Sequence, residues 1–198
     1  MGIAQSLLMR MFGHPQGAVG RLGGIIMARA NYACGAFELL EVRPNDRVLE
    51  GGFGSGVVIQ RVAAVAACVA GVDLSQEMVE QARARNSGAV LSRRVELRRG
   101  SVESLPYDRN TFDAALAINS FQVWQNAVAG LREIHRVMKP GRRVALGFTP
   151  YSGQSKKGLM EMLAIADFTR ARIVDGDHGF CALGSKPDFL RSARRVIT

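Results

Sequence analysis

Glu50, Gly52, Gly54 and Gly56 stand at alternate positions in the run Glu-Gly-Gly-Phe-Gly-Ser-Gly, and Asp73 follows Glu50 by 23 residues. Glycines at 52, 54 and 56 let a backbone turn tightly and approach a ligand with no β-carbon in the way. The run follows the short apolar stretch Val48-Leu49 and precedes a longer one from Val57 to Ala70. Strand, glycine turn and helix in that order make the nucleotide-binding corner of a doubly wound α/β sheet, with the helix N–H groups facing the turn. Asp73 lies near the spacing of about 20 residues at which a strand-end acid meets a ribose diol. A carboxylate suits two neighbouring hydroxyls because it offers acceptor oxygens and no donors. The alternative for such an acid is to cap the next helix, and Ser75 is available for that.

Spacing narrows the ligand. A dinucleotide fingerprint counted from Gly52 needs a sixth-position glycine, where Val57 stands. A phosphate loop needs Gly-Lys-Ser/Thr, and no lysine follows Gly56.

The pattern Glu-x-Gly-x-Gly-x-Gly over 50–56 resembles the first motif of the S-adenosylmethionine-dependent methyltransferases with a Rossmann-like fold. Two further stretches are similar to the small-molecule members. One is Gly71-Val72-Asp73-Leu74-Ser75-Gln76-Glu77-Met78. The other is Leu131-Arg132-Glu133-Ile134-His135-Arg136-Val137-Met138-Lys139-Pro140-Gly141, which matches the ubiquinone/menaquinone-biosynthesis type. The resemblance implies S-adenosylmethionine as cofactor and S-adenosylhomocysteine as its product. It implies that Glu50 orients the turn and the methionine end, that Gly52 meets that end through its backbone, and that Asp73 holds the ribose. It places Leu74 and Met78 in the adenine pocket. The family's Gly-Asp-Ala-x-x-Leu-Pro-Phe stands here as Gly100-Ser101-Val102-Glu103-Ser104-Leu105-Pro106-Tyr107. Ser101 therefore replaces the acid that accepts from the adenine amino group, leaving the Val102 backbone N–H for the ring nitrogen and Glu103 as a substitute acceptor or a surface residue. Asn119 falls at the carboxyl end of a strand, where ligands bind in open sheets.

The positioning elements follow from periodicity and punctuation. Strands are expected at Arg47–Glu50, Cys68–Asp73, Arg94–Arg99, within Phe112–Asn119, and at Arg142–Thr149. Helices are expected from Val57, over Gln76–Asn86 with a loop at Ser87-Gly88, over Ala127–Met138 with Lys139-Pro140-Gly141 as its stop, and over Gly158–Phe168. Thr169–Val174 and Gly179–Ser185 read as a closing hairpin. The fold class is α/β: a Rossmann-like, doubly wound, seven-stranded sheet, mostly parallel with an antiparallel last strand and helices on both faces. One domain is expected over residues 1–198, with a core at 45–186. Residues 1–42 form a helical segment that either folds over the cofactor as a lid or packs on the sheet edge.

Composition sets the class. The 198 residues are 47% apolar, enough for a folded core. No run is long and apolar enough for a membrane span, and no secretory leader is evident, so a cytoplasmic protein is expected. Cysteines at 34, 68 and 181 form neither a zinc spacing nor a disulfide framework, and no metal site is expected. The net charge of +9 permits an anion-binding face as well as a solvated one. Its arginines at 83, 85, 93, 94, 98 and 99 cluster near one strand, with others at 191, 194 and 195. Arg10, Arg21 and Arg29 admit peripheral contact with an anionic membrane.

The resemblance implies a methyltransferase, and the apolar, aromatic segment Ser120–Trp124 facing the expected transfer site points to a small, hydrophobic or lipid-like acceptor. An RNA methyltransferase using the basic surface is one alternative. It is opposed by Asn119-Ser120-Phe121-Gln122, where base-methylating enzymes carry Asn/Asp-Pro-Pro-aromatic, so a nucleic-acid partner is not expected. A non-catalytic, cofactor-binding relative is the other. Tyr32, His14, Tyr151 and His178 are candidate bases without a motif, His135 reads as structural, and no catalytic residue or oligomeric state is assigned.

Overall fold

The computed structural model describes residues 35–188. Its seven strands join one sheet: β1 (Arg47–Gly51), β2 (Cys68–Asp73), β3 (Val95–Arg99), β4 (Phe112–Ile118), β5 (Met138–Phe148), β6 (Thr169–Gly176) and β7 (Gly179–Ser185). The spatial order is β3-β2-β1-β4-β5-β7-β6, parallel from β3 through β5, with β7 antiparallel to both neighbours. The expected sheet and its reversed last strand are both present.

Alternation along the strands feeds two cores. Val48, Ala114, Leu116 and Ile118 enter one apolar cluster, while Leu49, Ala115 and Ala117 enter the other. The first is covered by α1 (Ala36–Leu40), α2 (Val57–Ala63) and α3 (Gln76–Arg85). The second is covered by α5 (Ala127–Val137) and α6 (Leu159–Ile165). Every residue of β4 is buried, as expected of a central strand with helices on both faces.

Three boundaries differ from expectation. The segment read as a loop at Ser87-Gly88 is a short helix, α4 (Ser87–Leu91). Its Ala89 and Val90 pack against the first core, an apolar side that the Ser-Gly pair conceals. Helix α2, expected only to start at Val57, ends at Ala63, so the apolar segment that runs on to Ala70 is divided between it and β2. Strand β5 begins at Met138, directly after α5, and Lys139-Pro140-Gly141 lies inside it as a bulge. The pairing accordingly jumps from Phe112↔Met138 to Ala114↔Arg143. The bulge serves a purpose at the sheet's amino edge: Lys139 and Arg142 both pair with the buried Asp113 at 2.9 Å.

Most of the segment expected as a lid, including Tyr32, His14, Cys34 and the arginines at 10, 21 and 29, lies outside the described residues. So do Arg191, Arg194 and Arg195. The described part, α1, rests on the sheet, with Ala36 and Leu40 in the first core and Glu41 paired to Arg143 at 2.9 Å.

The loop after β3 is fastened by one side-chain pair on α5. Arg136 grips Glu133 through two hydrogen bonds at 2.7 and 2.8 Å and donates to the carbonyls of Tyr107 and Leu105 at 2.7 and 2.9 Å. Glu133 in turn accepts from the Leu105 N–H at 2.9 Å. Replacing Arg136 by Leu strands a half-buried carboxylate and two carbonyls. The expected cost is about 2 kcal/mol, read as a fall of roughly 4–8 °C in the thermal midpoint.

Candidate functional site

At the carboxyl end of β1 the chain turns through three positive-φ glycines, Gly52, Gly54 and Gly56. Gly52 donates to the Val72 carbonyl at 2.8 Å, so the turn remains tied to β2 beyond the strand register. Phe53 is buried beneath the turn, against the bare α-carbon of Gly71. Two glycines are required by neighbours. A β-carbon on Gly52 would overlap the Ser120 side chain, and one on Gly56 would come within 2.6 Å of the Ala82 β-carbon on α3. Gly54 is different. A β-carbon there would meet nothing within 4 Å, so the concave face of the turn is open.

Asp73, at the end of β2, locks that open face. One carboxylate oxygen accepts from the Gly54 N–H at 2.8 Å and the other from the Ser75 N–H at 2.9 Å. A carboxylate has about four lone-pair positions, so two remain for a hydroxyl pair. Ser75 caps α3 by accepting from the Met78 N–H at 3.3 Å, which frees Asp73 from the capping role. Burial pushes the Asp73 carboxyl above its ordinary value of 3.8, and the N–H groups of Ser75 and Gly54 pull against that rise.

The other predicted residues divide by environment. Glu50 is buried, opposite Gly71 and Leu116 in the register. Leu74 presents an apolar surface, 46% exposed, beside Asp73, whereas Met78 is 1% exposed and offers almost none. Ser101 accepts from the Glu103 N–H at 3.1 Å, closing a local turn. Val102 is buried against Gly51. Glu103 accepts from the Asn126 N–H at 2.8 Å and ties the β3 loop to the start of α5. Asn119 adopts a left-handed backbone at φ 51°, and its Oδ1 accepts from the Thr149 N–H at 2.9 Å and hydroxyl at 3.2 Å. It joins the ends of β4 and β5. Tyr151 and His178 stand exposed, just after β5 and in the β6–β7 turn. His135 stacks edge-on against Phe168, away from the glycine turn, as a structural residue would.

Three supports of the site are invisible in the local sequence. Arg85 Nε donates to the Ser55 carbonyl at 2.9 Å, and Asn86 Nδ2 donates to the Gly56 carbonyl at 3.0 Å, so the end of α3 holds the back of the turn. The Ser120 hydroxyl donates to the Gly51 carbonyl at 2.7 Å, closing β4 onto β1. Each spans 30 residues or more, which no local pattern encodes.

The cradle suits an adenosine with a hydroxyl pair: an open glycine turn, a strand-end carboxylate with spare acceptor capacity, and an apolar wall at Leu74. Residues 49–146 match the family model of the methyltransferase domain. The chain belongs to the S-adenosylmethionine-dependent methyltransferases. It is 28% identical over 182 residues to the uncharacterized methyltransferase YdaC of Bacillus subtilis, covering 84% of this chain and 98% of that one. It is 36% identical over 107 residues to the demethylmenaquinone methyltransferase of Corynebacterium kroppenstedtii, covering 54% of this chain but only 43% of that one. In fold it resembles a S-adenosylmethionine-dependent methyltransferase from Aquifex aeolicus, with a TM-score of 0.67 at 21% identity over 77% of this chain and 89% of that one.

The raised Asp73 carboxyl has a measurable consequence. Ionised, it accepts hydrogen bonds; protonated, it loses acceptor capacity. Affinity for S-adenosylhomocysteine should therefore fall on acidification, beginning above pH 3.8, where an exposed aspartate is still ionised. Binding titrations of wild type and Asp73→Asn across pH check this, and the variant's profile should be flat in that range.

Proposed function

We propose that this methyltransferase acts on a small, hydrophobic acceptor, with its cofactor held by the residues around the glycine turn. The observation that carries the binding site is the Gly54 N–H bonded to Asp73 beside an open concave face. Asp73 holds the ribose hydroxyls with the acceptor positions left over from Gly54 and Ser75. Gly52 and Gly54 admit close backbone approach, and Glu50 orients the methionine end. Leu74 covers the adenine, with Met78 as the buried support beneath it. The Val102 backbone and the Ser101 hydroxyl face the adenine edge, and Asn119 fixes the floor of the crevice by joining β4 to β5. The bound cofactor supplies an electrophilic methyl group. The chain has to align the acceptor's nucleophilic atom with that methyl and keep water away.

An apolar acceptor is supported by the partly exposed Val123 and Trp124 after β4, which are backed by the buried Phe121 and Phe148. The Phe121 ring lies 5.0 Å from that of Trp124 and 6.0 Å from that of Phe148 between centroids. The likeness to a demethylmenaquinone methyltransferase points the same way. An RNA acceptor is less favoured because much of the basic cluster is spent internally. Arg83 donates to the Leu97 carbonyl, Arg94 to that of Ala63, Arg99 to that of Leu74, and Arg98 pairs with Glu96. Among the described residues no helix is long and apolar enough to cross a membrane.

Calorimetric titration with S-adenosylhomocysteine tests the site. Wild type should bind in the micromolar range, and Asp73→Ala should bind at least about tenfold more weakly, as expected when charged hydrogen bonds are lost. Methyl transfer from labelled S-adenosylmethionine should then favour quinols, phenols and sterols over transfer RNA. Preference for the RNA would overturn the acceptor assignment.

A further inference from the structure

Residues 153–157, Gly-Gln-Ser-Lys-Lys, join the 3-10 turn Pro150–Ser152 after β5 to α6. Gly153 opens the segment at φ 66° and Gly158 follows it at φ 80°, and a β-carbon on either would meet nothing within 4 Å. Most of its hydrogen bonds are local. The Gln154 N–H donates to Ser152 Oγ at 3.2 Å, the Gln154 side-chain amide to the Ser155 carbonyl at 2.8 Å, and the Lys157 N–H to Ser155 Oγ at 3.1 Å. Among the described residues, only Lys156 ties the segment by hydrogen bond or ion pair to a distant part of the fold. Its ammonium pairs with Asp175 of β6 and stands 5.4 Å from the centre of the Phe180 ring on β7.

Phe180 is the outer end of a row of rings. Its centroid lies 5.0 Å from that of Phe148, Phe148 lies 6.0 Å from Phe121, and Phe121 lies 5.0 Å from Trp124. Phe148 and Asp175 are the cross-strand partners of Phe180, so the three side chains share one face of the sheet. The row thus runs from the segment after β4, past the carboxyl end of β5, to the ammonium of Lys156. Both side chains of the Lys156–Asp175 pair are exposed. Exposed pairs hold weakly and are screened by salt, so this tie is released at little cost.

We propose that residues 153–157 form a strap over the outer end of this row, latched by Lys156, and that its release admits the methyl acceptor. The assignment deepens the apolar-acceptor reading and rests on it. While the latch is closed, the ammonium occupies the approach to the Phe180 ring, and a neutral aromatic molecule gains nothing by displacing it. With the latch open, that ring is free to stack against such a molecule and pass it along the row. Gly153 and Gly158 absorb the backbone change, since no neighbouring atom crowds either of them.

Asp175→Asn removes the ion pair and keeps both lysines as trypsin sites. Cleavage after Lys156 and Lys157, followed by mass spectrometry, should speed up about two- to fivefold at low salt, the range of an exposed ion pair. The difference from wild type should vanish at about 0.5 M salt, where the pair is screened. Stopped-flow association of 1-naphthol with the S-adenosylhomocysteine complex should quicken by a similar factor in Asp175→Asn and in Lys156→Met, with S-adenosylhomocysteine affinity unchanged. Equal cleavage of wild type and Asp175→Asn at low salt overturns the latch. Faster cleavage with unchanged 1-naphthol association overturns its role in admitting the acceptor while leaving the apolar-acceptor reading standing. Should wild type and both variants bind S-adenosylhomocysteine but none bind 1-naphthol, the apolar-acceptor reading falls and the gate falls with it.

Discussion

The hydrogen bond from the Gly54 N–H to the Asp73 carboxylate joins the turn after β1 to the end of β2, and the geometry of the site depends on it. A glycine turn alone is conformationally permissive, and ordering it costs entropy. Here the turn is held from three sides. Asp73 takes the Gly54 N–H, Val72 takes that of Gly52, and the end of α3 donates to the carbonyls of Ser55 and Gly56. The concave face is thus fixed before any ligand arrives, which lowers the ordering cost of binding.

The same logic extends across the sheet. Ser120 closes β4 onto Gly51, and Asn119 closes β4 onto Thr149 of the segment after β5. Two adjacent residues therefore gather three strand ends, and the left-handed backbone at Asn119 is what lets them face opposite neighbours. Behind them, Glu103 and the Glu133–Arg136 pair hold the β3 loop to α5. The ends of the strands are thus held by hydrogen bonds from behind, the arrangement a transfer enzyme needs to align two reactants.

Much of this was legible in the sequence. The strands announce themselves through short apolar runs ended by Gly, Asn or Asp, and the span Cys68–Asp73 agrees residue for residue. The Ser75 cap and the β6–β7 hairpin also follow from local chemistry. What escaped is long-range. Periodicity shows which face of α3 is apolar but not that Arg85 and Asn86 reach a turn 30 residues back. The arginines from 83 to 99 leave a solvated and an anion-binding face both open in the sequence, which shows their charge but not that four of them donate to backbone carbonyls. Lys139-Pro140-Gly141 carries a helix-stop signature, but the burial of Met138 and the two cations demanded by Asp113 pull it into the sheet as a bulge.

The most direct test is a crystal structure of the protein with S-adenosylhomocysteine. The account predicts that the Asp73 carboxylate lies within about 3.2 Å of the ribose hydroxyls while still accepting from Gly54, with the glycine turn unmoved. A nucleoside bound elsewhere, or one whose ribose does not touch Asp73, would contradict it.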